Sequence, residues 1–284
     1  MAYLRDRRAF GNIGTRRFRG ARFGDPLSPR FTGLLDQYGG AAAAYSLRAL
    51  SSGWLAGDVV EVRRSSDSTT QDFTASQITN GDLVAFCGAG DGFVSTWYDQ
   101  SGNANDAVQA TTTSQPKIVD AGVLVAGGID FDGVDDFLNI STPTVLGVEF
   151  YEVMVSKPVS ASSQTNAAFI SPNAAGGGER SYINTSTNSL SIRNNSTNIP
   201  STLSLNQTAQ QLIAFSSTAA DFTFVLDGAD DVKLALISPM IAGTIAGGAG
   251  SLAGTFSEVI LYASDQSANR AAIEANINDF YSIY

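Results

Sequence analysis

The sequence contains no histidine and a single cysteine, Cys87, among its 284 residues. Without histidine, catalytic Ser-His-Asp and Cys-His sites, histidine-ligated zinc and histidine-based pH switches are excluded. A single cysteine cannot form an internal disulfide, so the disulfide framework typical of small secreted domains is excluded as well. Catalysis by a pair of carboxylates is the main enzymatic chemistry left open.

Charged residues are also scarce, at 15% of the chain, whereas 43% of the residues are hydrophobic and 10% aromatic. This hydrophobic share is enough for a packed core, so global disorder is excluded. No apolar run has the length of a transmembrane helix, and the N-terminus lacks the apolar segment of a signal peptide. We therefore expect a chain that is made and folded in a cytosol and has no membrane partner.

The charge is distributed unevenly along the chain. Residues 1–30 hold eight arginines, no lysine and two acids, for a net charge of +6, whereas residues 31–284 sum to −16. Within residues 1–30, glycine and proline interrupt any helical period. Phenylalanines are interleaved with the arginines there, and this composition is suited to docking on an acidic protein surface. We predict an extended docking arm over residues 1–30, followed by one domain over residues 31–284. Its candidate contact residues are Arg5, Arg7, Arg8, Phe10, Arg16, Arg17, Phe18, Arg19, Arg22, Phe23 and Arg30.

The partner of this arm is predicted to be a protein. Arginine clusters also neutralise phosphates, but the strongly acidic domain would repel a nucleic acid lying close to it. We therefore expect other proteins or sister subunits as partners, and no nucleic acid. A homo-oligomer, for example a trimer, is compatible with this expectation, and nothing in the sequence sets the symmetry.

The hydrophobic pattern predicts an all-β domain with a helix near each end. From Asp58 onward the apolar residues alternate with a period of two in short runs separated by turn dipeptides, which is typical of an antiparallel sandwich. The alanine-rich stretch Ala41–Ser51 predicts a short helix, and Ser264–Tyr284 predicts an amphipathic helix through Ile273 and Ile277. The predicted strands lie at 58–64, 93–97, 128–131, 150–155, 168–170, 181–183, 190–192, 212–215, 222–226 and 256–262.

Five short strings occur in an order that resembles a known family. They are Ala44-Tyr45-Ser46-Leu47-Arg48, Val62-Arg63-Arg64-Ser65-Ser66-Asp67, Trp97-Tyr98-Asp99-Gln100-Ser101-Gly102-Asn103-Ala104-Asn105, Phe131-Asp132-Gly133-Val134-Asp135-Asp136-Phe137-Leu138 and Gly254-Thr255-Phe256-Ser257-Glu258-Val259-Ile260-Leu261-Tyr262. Together they resemble the catalytic-domain family of fungal α-L-arabinofuranosidase B and its bacteriophage relatives, over roughly residues 31–284 and most strongly over 41–110. The resemblance implies a concanavalin A-like (laminin G-like) jelly-roll β-sandwich, and the order of the strings is more specific for this fold than for an activity.

The same resemblance implies two catalytic carboxylates at places where this sequence has none. One would lie in the loop before Gly254 and the other near Ser181–Arg193, yet neither Gly247–Ala253 nor Ser181–Arg193 contains Asp or Glu. A retaining glycosidase needs two carboxylates about 5 Å apart. We therefore expect no catalytic residues and no enzymatic activity. Of the remaining acids, Glu179 lies in a glycine-rich loop, and Glu258 is expected to be a structural acid paired with arginine or backbone groups.

From these observations we expect a non-enzymatic virion structural protein of a tailed bacteriophage. It would be a capsid decoration or a tail fibre or spike component, located in the virion, anchored by its arm and exposing a surface for host glycans. One alternative is an arabinofuranosidase-like glycoside hydrolase acting on a host polysaccharide. Another is a free glycan-binding lectin.

Two residue groups are candidates for ligand binding. Asp132, Asp135 and Asp136 could hold Ca²⁺, as loops of laminin G-like folds sometimes do, although a solvated acidic turn explains them as well and is the interpretation we favour. No other cofactor is expected. The candidate glycan contacts are Trp97, Tyr98, Asp99 and Asn103. Turn chemistry alone accounts for their residue types, and it is the interpretation we favour.

Overall fold

The structure is a computed structural model, and it describes residues 31–159, 166–173, 178–236, 238–247 and 252–284. The chain divides into two units, and the second, residues 32–284, holds every helix and strand described below. The predicted arm over residues 1–30 lies outside the described residues. Its docking role therefore stays a prediction.

The described residues are mostly β-strands. Four short α-helices accompany them: α1 (Leu34–Gln37), α2 (Ala75–Thr79), α3 (Asp82–Cys87) and α4 (Arg270–Tyr281). In chain order the strands are β1 (Ala43–Ser46), β2 (Asp58–Arg64), β3 (Thr70–Thr74), β4 (Gly92–Trp97), β5 (Ala107–Val108), β6 (Lys117–Asp120), β7 (Val123–Leu124), β8 (Ile129–Asp132), β9 (Leu138–Gly147), β10 (Phe150–Val159), β11 (Asn166–Ser171), β12 (Arg180–Asn184), β13 (Ser189–Asn194), β14 (Thr197–Ser204), β15 (Gln211–Ser217), β16 (Asp221–Leu226), β17 (Ala229–Leu234), β18 (Met240–Ile245) and β19 (Ala253–Tyr262).

The strands pair antiparallel in two long rows. One row runs β17–β16–β15–β10–β19–β1, and the other runs β14–β13–β12–β11–β18–β9–β5–β4–β2–β3. Strand β8 joins the rows, because it pairs with β19 on one side and with β6, a neighbour of β4, on the other. The predicted all-β class is confirmed.

Two hydrophobic clusters fill the domain. The larger one combines apolar side chains of both rows, including Trp97, Phe169 and Phe215. The smaller one lies where Ile273 and Ile277 of α4 pack on the strands of the first row. The predicted C-terminal helix is thereby confirmed. No helix of the described part combines the length and the apolar character of a membrane span.

The alanine-rich stretch Ala41–Ser51 is not the predicted helix. Ala43–Ser46 forms β1, which pairs with β19 so that Ala43 lies opposite Leu261. Ala43 and Tyr45 contact the larger cluster while Ala44 contacts the smaller one, which is the alternation of a strand buried on both faces. The prediction was wrong because burial between two clusters outweighs the helical preference of alanine.

Candidate functional site

A cleft of about 440 Å³ opens beside the first residues of β12. One wall comes from residues 172, 173, 178 and 179, and the other comes from residues 239 and 241. Gly243 permits this arrangement, since a Cβ atom there would lie 2.1 Å from the carbonyl oxygen of Pro172. The lining residues are Pro172, Asn173, Gly178, Glu179, Pro239 and Ile241.

The hairpin β12–β13 presents a polar face next to this cleft. Side chains alternate along a strand, and Ile183 and Ile192 contact the larger hydrophobic cluster. Arg180 and Tyr182, which alternate with Ser181 and Ile183 along β12, therefore point to the opposite face. There Tyr182 lies directly across from Ser191. Alternation also places Arg193 on this face.

This outer face is well buried and positively charged. Tyr182 has no exposed surface and Arg180 is 5% exposed. The Arg180 guanidinium lies 5.4 Å from the centre of the Tyr182 ring. Burial lowers the pKa of Arg180 and the nearby charge of Arg193 lowers it further, while burial raises the pKa of the Tyr182 phenol. The tyrosine is therefore protonated at neutral pH.

Glu179 provides the carboxylate of the cleft. Its Oε1 accepts a hydrogen bond of 2.9 Å from the backbone N–H of Asn195, which ties the start of β12 to the end of β13. Its Oε2 is buried and has no hydrogen-bond partner among the described residues. The side chain of Asn194 bonds the backbone of Ser238 in both directions and so holds the hairpin to the other wall. Glu179 is thus fixed at one oxygen and has an acceptor to spare at the other.

Glu152 and Glu258 are fully buried and do not line the cleft. Glu152 on β10 faces the core, where its Oε1 accepts a hydrogen bond of 2.6 Å from the Ser181 hydroxyl, and burial raises its pKa to about 8. Glu258 forms a bidentate ion pair with Arg48, at 2.7 and 3.0 Å, and also accepts hydrogen bonds from Ser46 and Tyr281. The expected pairing of Glu258 with an arginine is confirmed.

The candidate glycan contacts lie in a turn that is distant in sequence from the cleft walls. Trp97 is fully buried, 5.8 Å from the ring of Tyr45. Tyr98 donates its hydroxyl to Asp72, and the Asn103 amide donates to backbone carbonyls of residues 41 and 42. Asp99 accepts four hydrogen bonds, from the N–H groups of residues 44, 101 and 105 and from the hydroxyl of residue 101. These are hydrogen bonds of the kind that the turn interpretation predicts. Glycan binding by the four residues stays a prediction.

The acidic turn brings together its three aspartates, whose carboxylate oxygens lie within 4.8 Å of one another. Asp132 Oδ1 accepts the N–H groups of Val134, Asp135 and Asp136, so one of its oxygens is occupied by the turn. Burial, together with the surrounding carboxylates, raises the pKa of Asp136 to about 7. Hydrogen bonding within the turn accounts for these residues, and Ca²⁺ binding stays a prediction.

The residues around the cleft were mostly missed by sequence reasoning. Glu179 was singled out, but Arg180, Tyr182 and Arg193 were not. Their only sequence signal is the alternation of polar and apolar residues over 180–184 and 189–194, which indicates two-faced strands but not which strand lies opposite. The pairing that places Arg180 opposite Arg193 is visible only in the folded chain.

The family model described as "Alpha-L-arabinofuranosidase B, catalytic" matches residues 37–189. No curated protein matches the sequence.

Solved structures show the same fold. One is a crystal structure of an arabinofuranosidase complexed with arabinofuranosyl-α-1,2-xylobiose, with a TM-score of 0.61 and 16% identity over 87% of this chain and 64% of that chain. Another is a GH54 α-L-arabinofuranosidase soaked with a cyclic sulfate inhibitor, with a TM-score of 0.58 and 16% identity over 84% of this chain and 62% of that chain. The chain thus spans less than two thirds of either protein.

The family match contradicts the expectation of a non-enzymatic virion protein. The terms that belonged to it, bacteriophage, capsid decoration, tail fibre and host attachment, have no support in these findings, whereas a carbohydrate-active domain does. Two segments without acidic residues do not exclude an acidic residue in the cleft. The structure places Glu179, two residues before the segment Ser181–Arg193, in the wall of the cleft.

Proposed function

The chain belongs to the α-L-arabinofuranosidase B catalytic-domain family, and from this membership we propose that it is a glycoside hydrolase. Its substrate would be a polysaccharide that carries α-L-arabinofuranosyl groups. The observation that carries the proposal is the family match over residues 37–189, more than half of the chain. The finer assignment of the sandwich as a concanavalin A-like (laminin G-like) jelly roll is part of the same proposal, and two antiparallel rows that share one core support it.

The cleft beside β12 is the proposed substrate site. Its volume of about 440 Å³ lies in the range of small-molecule sites, which combine apolar walls with a few polar groups. Pro172, Pro239 and Ile241 supply apolar surface for the faces of a sugar ring. Asn173 and Glu179 supply the polar groups that would orient it.

Glu179 is the proposed catalytic carboxylate. It is the one acidic residue among the described residues that line the cleft. A carboxylate in this position can act on the anomeric carbon directly or take a proton from an attacking water. Most glycosidases use a second carboxyl group, and no second acidic residue lines the cleft among the described residues. The role of Glu179 therefore needs a test that is separate from the test of activity.

The test is arabinose release from arabinoxylan and nitrophenol release from 4-nitrophenyl α-L-arabinofuranoside by the full chain. We expect release of both, with kcat lowered by roughly 10²- to 10⁴-fold in Glu179→Gln, as for the loss of an acid–base group. The matched control is Glu149→Gln, which changes an exposed glutamate just before β10 and should leave the rates unchanged. Circular dichroism would verify that both variants fold.

The two parts of the proposal fail in different ways. A folded wild-type chain that releases no sugar from either substrate would overturn the hydrolase function. Activity that is equal in wild type and Glu179→Gln would keep the function and move the catalytic carboxylate elsewhere.

A further inference from the structure

A second concave surface, of about 360 Å³, lies between the end strands of the two rows. The strand pairings place β14 at the end of one row and β17 at the end of the other. Thr197 and Ile199 of β14 line one side of this surface, and Lys233 and Leu234 of β17 line the other. We call it the edge groove. It shares none of its described lining residues with the cleft.

Asp231 ties the two strands of the edge groove together. Its Oδ2 accepts hydrogen bonds from the backbone N–H of Thr202, at 2.6 Å, and from the hydroxyl groups of Ser201 and Thr202. Its Oδ1 lies 2.9 Å from the ammonium group of Lys233. Lys233 is the one charged residue among the described residues that line the groove, and this ion pair offsets its charge. The edge groove therefore suits a neutral ligand better than an anion.

The side chains of the edge groove combine apolar surface with hydrogen-bonding groups. Leu234 is 87% exposed and Ile199 is half-buried, so both offer carbon surface to a ligand. Thr197 contributes a hydroxyl group, Asn195 an amide, and the ammonium group of Lys233 has donors beyond the one that faces Asp231. Apolar walls with a few polar groups are typical of small-molecule sites, and a sugar ring presents both apolar faces and hydroxyl groups.

The edge groove and the cleft adjoin at the turn between β13 and β14. Asn194 and Asn195 line the edge groove at this turn. The backbone N–H of Asn195 donates to Glu179 in one wall of the cleft, at 2.9 Å. The side chain of Asn194 bonds the backbone of Ser238, which precedes Pro239 in the other wall. A ligand that extends from the cleft across this turn would therefore reach the edge groove.

We propose that the edge groove binds the neutral, unbranched part of a polysaccharide whose arabinofuranosyl branch enters the cleft. The inference rests on the proposed function, because it concerns the remainder of the same substrate. Leu234 and Ile199 contact the faces of the sugar rings, and the polar groups at Asn195, Thr197 and Lys233 bond their hydroxyl groups. The protein then distinguishes a polymeric substrate from a small arabinofuranoside.

The binding experiment is calorimetric titration of the full chain with linear xylotetraose. This probe is neutral and has no arabinofuranosyl group, so the proposed reaction cannot consume it. We expect binding that is insensitive to salt concentration, because no charge of the ligand is there to be screened. Leu234→Ala should weaken it roughly tenfold, which corresponds to about two CH₂ groups that no longer contact the sugar.

The matched control is Leu55→Ala, which shortens another exposed leucine that is not among the described lining residues of either site. Its affinity for xylotetraose should equal that of the wild type. Circular dichroism would verify that both variants fold.

A kinetic experiment adds a measurement that a merely structural role of Leu234 would not change. It compares kcat/KM for arabinoxylan with kcat/KM for 4-nitrophenyl α-L-arabinofuranoside. The small substrate lacks the sugars that the groove would hold. The ratio of the two values should therefore fall roughly tenfold in Leu234→Ala and stay at the wild-type value in Leu55→Ala.

No binding of xylotetraose, or equal affinities in wild type and Leu234→Ala, would overturn the inference. So would self-association, measured by sedimentation, that Leu234→Ala abolishes, because the groove would then hold a second copy of the chain. Nitrophenol release without xylotetraose binding would leave the hydrolase function standing and remove the saccharide from the groove. Binding that depends on Leu234, in a protein that releases no sugar from either substrate, would support the saccharide groove and overturn the hydrolase function.

Discussion

Glu152 should make the stability of this protein depend on pH in a defined window. Its side chain lies fully buried in the core with one hydrogen bond, from Ser181, and its second oxygen has no partner among the described residues. Burial therefore raises the pKa of this carboxyl group from 4.5 to about 8 in the folded protein. In the unfolded chain the group regains its ordinary pKa.

The sign and size of the effect follow from these two values. Below pH 4.5 both states are protonated and the group has no influence. Between pH 4.5 and 8 the unfolded chain ionises while the folded protein does not, so the free energy of unfolding falls by about 1.36 kcal/mol per pH unit. The loss amounts to roughly 3 kcal/mol at pH 7 and to roughly 5 kcal/mol at pH 8 and above.

Glu152→Gln should remove this dependence, because an amide does not titrate and can still accept the Ser181 hydrogen bond. We expect wild type and variant to have similar stability at pH 4, and the variant to be more stable by about 3 kcal/mol at pH 7. In a domain of this size that corresponds to an increase in Tm of roughly 6–12 °C. Thermal unfolding followed by circular dichroism from pH 4 to pH 9 measures the difference.

The control is Glu149→Gln, in which the exposed glutamate near the start of the same strand is changed. It should follow the wild type at every pH. A difference between wild type and Glu152→Gln that stays constant from pH 4 to pH 9 would contradict this prediction, because it would show that the carboxyl group does not change its pKa on folding.

Two further predictions concern contacts that stabilise the domain outside the cleft. Arg48→Met leaves the buried carboxylate of Glu258 without its guanidinium partner, and we expect a loss of roughly 3–5 kcal/mol in unfolding free energy, measured by denaturant titration; an unchanged midpoint would contradict it. Asp99→Ala removes the acceptor of four hydrogen bonds and should cost roughly 3 kcal/mol or more, with arabinose release per folded molecule unchanged. Lost saccharide binding at unchanged stability would instead favour the glycan-contact role.

Much of the fold could be predicted from the sequence because most strands have a hydrophobic pattern that is visible within their own residues. Asp58–Arg64 and the run at 150–155 alternate or stay apolar over their whole length, and both form the strands predicted there. The helices α2 and α3 were missed because each is only five or six residues long, too short for a helical period. Strand β1 was missed because its alanines owe their conformation to β19, a partner more than two hundred residues away.

The cleft could not be predicted to the same degree, because each of its features arises from pairing between distant segments. Glu179 is held by Asn195, and the wall at Pro172 exists because Gly243 offers no side chain to displace it. The resemblance implies carboxylates at two places only, whereas a site can obtain its charge from a neighbouring loop. The spacing of residues in the sequence does not show which loop supplies that charge.

One register of the β12–β13 hairpin accounts for both its core face and the opposed pair of arginines. Pairing of Tyr182 with Ser191 turns Ile183 and Ile192 into the core, and the same pairing brings Arg180 opposite Arg193. A slip of one residue would move the isoleucines to the outer face and the arginines into the core, which is prohibitively costly. The apolar residues therefore hold the two arginines together despite their repulsion. This placement makes their opposition a stable property of the fold.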